Sequence, residues 1–293
     1  PMLARTHGQP ATPTTFGKEV AVFASRLADQ QDRLAEVTDG LAGKLAGASG
    51  TYAAHVVAYP DVDWRAFARS FVEGLGLEFR ALATQINPGD DLAAVFAALG
   101  GVNRVLIDLD GDLWLYISDR YLGQAATAGE TGSSTMPHKV NPIDFENAEG
   151  NLAKANADLA FLGDSITTSR LQRDLTDSTV KRNIGSALAH CLLGYTKTQD
   201  GLDTVEPNES VMRDDLEANP AVLAEAIQTV LRREGMADAY ERVKGLTRGD
   251  AVTLDGLRDA IETLEIEPEI REELATLTPS TYTGLADAMV DDL

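Results

Sequence analysis

The chain has 293 residues, 46 of them acidic and 25 basic, for a formal charge of -21. A surface of that sign repels duplexes and anionic membranes, which excludes functions built on basic patches, nucleic-acid binding among them. The single cysteine, Cys191, excludes a disulfide framework and a cysteine-built metal site.

No apolar run approaches the roughly 18 residues that cross a bilayer, so no membrane span is expected. Residues 1–7 show no apolar core of a secretory leader. With a lone apolar-flanked cysteine, this points to the cytoplasm. The basic residues divide into 7 Lys and 18 Arg. Few lysines on an acidic, Ala-rich surface fit adaptation to high salt, where screening relieves self-repulsion; an ordinary acidic cytosolic surface has the same composition.

The first element is a turn, Thr6-His7-Gly8-Gln9-Pro10-Ala11-Thr12-Pro13. A histidine in so polar a setting is poor core filler and well placed as an exposed acid or base. From 16 to 46 the residues Val20, Phe23, Leu27, Leu34, Val37, Leu41 and Leu45 recur mostly at three- and four-residue steps, which predicts one long helix. A second spans about 92–122. Its residues Val95, Phe96, Leu99, Val102, Val105, Leu106, Leu109 and Leu113 make it apolar around much of its circumference, as in a bundle or oligomer core.

Between helices lies Gly132-Ser133-Ser134-Thr135-Met136-Pro137-His138-Lys139-Val140-Asn141-Pro142, which has neither helical nor strand periodicity. It gathers hydroxyls, an imidazole, an ammonium and an amide in a glycine-flanked loop, a pattern that fits a catalytic lid over 129–141. Asn141 as N-cap, Pro142 at the first helical position and Asp144 and Glu146 in the first turn predict a helix start at its exit. A serine-histidine hydrolase is excluded, because no G-x-S-x-G elbow and no strand to carry one are present.

Helical patterns resume at 152–162 and 184–193, which makes the fold class all-α: a long-helix bundle over 1–199. Between those two patterns, residues 169–183 bring Arg173, Ser178, Thr179 and Arg182 together behind a cap at Thr176 or Asp177. Hydroxyls and guanidinium forks suit a phosphate, although a solvated charged face has the same composition. After Asp200 the segments shorten and prolines and glycines punctuate them, which predicts a smaller helical domain over 200–293. No useful strand alternation is expected.

Thr-His-Gly-Gln-Pro-Ala-Thr-Pro, Gly-Ser-Ser-Thr-Met-Pro-His-Lys-Val-Asn-Pro and Arg-Asp-Leu-Thr-Asp-Ser-Thr-Val, in this order, resemble the fumarase/aspartase superfamily, and within it the adenylosuccinate lyase branch. The resemblance runs along essentially the whole chain and includes Tyr52-Ala53-Ala54-His55 and Asp144-Phe145-Glu146-Asn147. It implies elimination of fumarate from a succinylated purine nucleotide, without metal or cofactor. Ser133 is then the base and His7 the acid. Ser134, Lys139 and Asn141 would hold the succinyl carboxylates, while Thr6, Gln85 and Asn147 bind substrate nearby. Arg173, Ser178, Thr179 and Arg182 would take the phosphate.

The resemblance further implies a homotetramer with shared active sites. Family members carry an additional N-terminal portion that contributes substrate-binding residues, so this stretch is expected to be a fragment, crippled when isolated. His55 and His190 read as packed residues, and His138 as a shaper of the lid. Two other functions fit the same residues less fully: a different fumarate-releasing lyase of the argininosuccinate lyase or fumarase type, and a non-catalytic helical assembly core.

Overall fold

A computed structural model describes residues 1–125, 136, 140–247 and 252–293, with only the backbone of 245–247. In chain order it comprises β1 (Met2–Thr6), β2 (Gln9–Thr14), α1 (Phe16–Asp39), β3 (Ala42–Gly43), α2 (Ala53–Ala58), α3 (Trp64–Glu73), β4 (Glu78–Phe79) and α4 (Asp90–Ser118). There follow β5 (Leu122–Gln124), α5 (Ile143–Ile166), α6 (Thr176–Val180), α7 (Ile184–Leu202), β6 (Val205–Pro207), α8 (Glu209–Glu217), α9 (Ala224–Arg233), α10 (Ala239–Thr247), α11 (Leu254–Glu262), α12 (Pro268–Ala275) and α13 (Ala286–Asp291). The all-α expectation holds, and the strands are short.

Three boundaries differ from the periodicity, each for a physical reason. The first long helix ends at Asp39, not near 46. Gly40 and Gly43 weaken helix there, and the chain finds parallel sheet partners instead, with Glu78 N–H donating to Leu41 C=O and Arg80 N–H to Gly43 C=O, both at 2.9 Å. The second long helix stops at Ser118. Arg120 adopts φ 62°, Tyr121 N–H reaches back to Tyr116 C=O at 2.8 Å, and Arg120 N–H to Ile117 C=O at 3.0 Å. This is a Schellman stop with arginine where glycine usually sits, so the apolar pattern ran on past it. Thirdly, α5 has Pro142 rather than Asn141 at its N-cap position, with no side-chain cap there.

One compact unit comprises 25–115 and 124–205. Its core joins Phe96 to Ala155, Leu159, Leu162, Ile166, Ala187 and Cys191. Helices α5 and α7 approach closely because glycines face bulky side chains: a Cβ on Gly194 would lie 2.5 Å from the Leu152 side chain, and one on Gly201 2.7 Å from Phe145. Helix α4 is, by length and composition, long and apolar enough to cross a membrane, contrary to expectation. It is nevertheless a packed bundle helix. Its fully buried Asn103 is bonded to Asn156 (3.0 Å), Tyr195 (2.7 Å) and Cys191 (3.3 Å), and its fully buried Asp110 accepts from Thr198 Oγ1 at 2.9 Å. Such groups require polar partners away from water, and α5 and α7 supply them.

The other unit comprises 1–24, 116–123 and 206–293. Its C-terminal helices close over Leu223, Ile227, Leu231, Val243, Leu257, Ile261 and Leu274. The β1–β2 hairpin packs on α8 through Met2, Met212 and Tyr121.

Candidate active site

His7 and Gly8 are the two central residues of the hairpin turn, between paired Thr6 and Gln9, with φ 53° and 71°. Positive φ at both positions is the primed turn that matches strand twist, and histidine tolerates it better than most residues. The fold thereby sets His7 at an exposed hairpin tip, and Thr6 is exposed beside it. The hairpin is anchored two residues earlier. Arg5 donates to Asp215 Oδ2 at 2.8 Å and lies 3.6 Å from Asp119, while the Tyr121 hydroxyl donates to the same Asp215 carboxylate. Burial and that anionic partner both push the Tyr121 hydroxyl well above the usual phenol range, so it stays a donor.

The remaining described candidates belong to the other unit. Arg173 donates through Nη2 to Ser178 Oγ at 2.8 Å. Behind them Asp177 is buried, at 3% exposure, with Lys181 Nζ 3.0 Å and Arg173 Nε 3.8 Å from its carboxylate. Burial alone would raise the Asp177 carboxyl, but the Lys181 ammonium and the Arg173 guanidinium hold it below its ordinary range. The expected cap at Thr176 or Asp177 is not formed: Leu175 is the N-cap of the five-residue α6. Asp177 serves instead as a counter-charge, while Thr176 N–H donates to Asp174 at 2.9 Å. Thr179 and Arg182 are exposed alongside.

Asn147 lies exposed on α5, and Gln85 is exposed in the loop before α4. Asn141 offers its carbonyl to Gln124 Nε2 at 3.1 Å. Ser133, Ser134, Lys139 and His138 lie outside the described residues. Two residues missed as functional neighbours emerge beside Asn147. Asn151 donates to the Asn147 carbonyl (2.9 Å) and to its Oδ1 (2.6 Å), and its own Oδ1 meets His190 Nδ1 at 2.8 Å. The four-residue step from Asn147 to Asn151 was a legible signal. The register of α5 against α7, which brings in His190, was not. His190 is half-buried and hydrogen-bonded rather than merely packed.

Residues 1–156 match the family described as Lyase, and residues 169–283 match that described as Adenylosuccinate lyase C-terminal. The chain is 52% identical over 289 residues to an adenylosuccinate lyase of Legionella pneumophila (strain Corby), covering 99% of this chain and 63% of that protein. It is 48% identical over 293 residues to the adenylosuccinate lyase of Escherichia coli (strain K12), covering 100% of this chain and 64% of that one. It thus spans less than two thirds of the length of these relatives. Among solved structures, a fumarate lyase from Mesorhizobium sp. BNC1 superposes with TM-score 0.79 at 21% identity, covering 99% of this chain and 66% of that one. The 3-carboxy-cis,cis-muconate lactonizing enzyme from Pseudomonas putida does so with 0.78 at 25%, covering 99% and 65%. These two likenesses speak for the fold. The first family match extends over more than half of the 293 residues, and the chain belongs to the Lyase family.

Proposed function

We propose that the protein carrying this chain eliminates fumarate from adenylosuccinate, and from the analogous succinylated imidazole ribotide, in purine nucleotide synthesis. One observation carries the reading: the match to the adenylosuccinate lyase C-terminal family begins at residue 169, with the segment that holds Arg173, Ser178, Thr179 and Arg182. In this reading that segment holds the phosphate of the nucleotide substrate.

In this reading the Ser133 alkoxide takes a proton from the succinyl carbon next to a carboxylate. The resulting aci-carboxylate places negative charge on oxygens that Ser134, Lys139 and Asn141 neutralise. The electron pair then forms the fumarate double bond as carbon–nitrogen cleavage proceeds, and His7 delivers a proton to the departing nitrogen. Thr6, Gln85 and Asn147 orient the substrate. Two independent features support His7 as acid: its exposure at a primed turn, and the Arg5–Asp215 anchor that fixes that turn.

We infer a division along the chain near residue 200, with the elimination groups on 1–199 and a helical cap on 200–293, although residues 1–24, His7 among them, cluster with 206–293 in one compact unit. The change from long to short helices after Leu202 supports this division. We further infer a cytoplasmic homotetramer with shared sites, adapted to salt. Large apolar side chains left exposed on the long helices, Leu115, Phe161 and Leu192, support assembly. The charge of -21 with 7 lysines supports the saline habitat.

The test is substrate depletion followed in the ultraviolet with the full-length protein, adenylosuccinate against argininosuccinate. Turnover of the first that is abolished by Ser133→Ala is expected. Preference for argininosuccinate would transfer the chain to another fumarate-releasing lyase, and no turnover of either would leave an assembly core.

A further inference from the structure

Three hydrogen bonds, two within α5 and one from α7 to α5, join Asn147, Asn151 and His190, and their directions can be assigned without reference to hydrogens. Asn151 Nδ2 lies 2.9 Å from the main-chain carbonyl of Asn147, an atom that only accepts, so the Asn151 amide has one orientation. The same Nδ2 therefore donates to Asn147 Oδ1 at 2.6 Å. Asn151 Oδ1 is left facing His190 Nδ1 at 2.8 Å, and an amide oxygen requires a donor there. His190 thus carries a proton on Nδ1. Asn147, with its oxygen engaged by Asn151, turns its two N–H groups toward solvent from an exposed position on α5.

We infer that His190 is a positioning residue which, through Asn151, fixes the Asn147 amide with its oxygen toward Asn151 and its N–H groups outward, so that Asn147 meets an acceptor atom of the substrate, such as a carboxylate oxygen, rather than a substrate N–H. This rests on the proposed role of Asn147 in substrate binding. Without the relay an exposed asparagine presents either end of its amide with similar ease. With it, the wrong end would leave Asn151 Nδ2 facing another N–H donor. The specificity lies in one helix and its control in the neighbouring one.

The test uses the full-length enzyme with adenylosuccinate. His190→Asn places an amide N–H near the position of Nδ1 and should keep KM near wild type. His190→Leu keeps the bulk and loses the donor, and should raise KM about tenfold with kcat nearly unchanged, the effect of one poorly oriented hydrogen bond. Asn147→Asp, of the same shape but without N–H groups, should raise KM at least as much. Imidazole nitrogen NMR reads the relay without substrate, and a proton on Nδ1 of His190 is expected. A proton on Nε2 alone, or equal KM values for His190→Leu and wild type while Asn147→Asp is impaired, would overturn the relay by itself. Equal losses in His190→Asn and His190→Leu would make His190 a packing residue and overturn it too. If Asn147→Asp leaves KM untouched while Nδ1 is protonated, the substrate-binding role of Asn147 fails and takes the inference with it.

Discussion

Arg173 and Ser178, five residues apart, are bonded directly to each other through Nη2 and Oγ at 2.8 Å. Two groups proposed to share one phosphate are therefore already within reach of a common oxygen. The buried carboxylate of Asp177 stands behind the guanidinium and keeps it oriented. Preorganisation of this kind reduces the ordering cost of binding.

Removing the fork should weaken binding more than turnover. Arg173→Ala in the full-length enzyme is expected to raise KM by roughly 10- to 100-fold, the range for a charge-assisted bond. Arg173→Lys should fall between, because a point charge replaces a planar fork. Steady-state kinetics with adenylosuccinate measure this, and an unchanged KM in Arg173→Ala removes the phosphate assignment.

The hairpin tip makes a different demand. His7→Gln should lower kcat by about 10²- to 10⁴-fold, the usual contribution of a positioned proton donor. Gly8→Ala meets no neighbouring atom, but φ +71° penalises any Cβ. It should cost about 1 kcal/mol or more and impair turnover through the displaced histidine. Thermal unfolding and kcat should fall together in that variant.

Asp110 links stability to pH. Burial raises its carboxyl to about 7, and the charge of Glu149 adds to that, while the Thr198 hydroxyl pulls the other way. The folded state therefore holds a proton that the unfolded chain releases from near pH 3.8 upward. Stability from this group is present at low pH and falls by up to roughly 1.4 kcal/mol per unit as pH rises toward 7, after which it is flat. Asp110→Asn mimics the protonated form and should flatten that slope. Denaturant unfolding between pH 5 and 8 compares the two proteins, and parallel slopes would refute the assignment.

Close helix contact at Gly194 is testable by volume alone. Gly194→Ala drives a Cβ into Leu152 at 2.5 Å, and overpacking of this kind costs about 1–3 kcal/mol. A lowered melting temperature is expected, whereas Gly185→Ala, which meets nothing within 4 Å, should cost far less.

The sequence by itself determined the helical class, the long helices and the chemical character of the 6–13, 132–142 and 169–183 segments. Periodicity records which residues avoid water, and these polar clusters interrupt it where no core needs them. It also pointed to the family, since the three motifs carry the resemblance in order. Only the tertiary structure decided where α1 and α4 stop. Beyond Gly40 the carbonyls of Leu41 and Gly43 exchange helix for sheet partners, and Arg120 takes a left-handed turn that no local composition announces. The strands were illegible for a similar reason. Pro10 and Pro13 disguise β2, yet it pairs because Met2 and Leu3 of β1 are buried while its own exposed side turns to solvent. Asp177 looked like a helix cap and is a buried counter-charge, and His190 looked like packing and is bonded to Asn151. Partners 39 residues apart meet only through the register of α5 on α7, which Gly194 and Gly201 set by letting the two backbones approach. Long-range pairing depends on which side chains fill that interface, and no local window of sequence contains both sides of it.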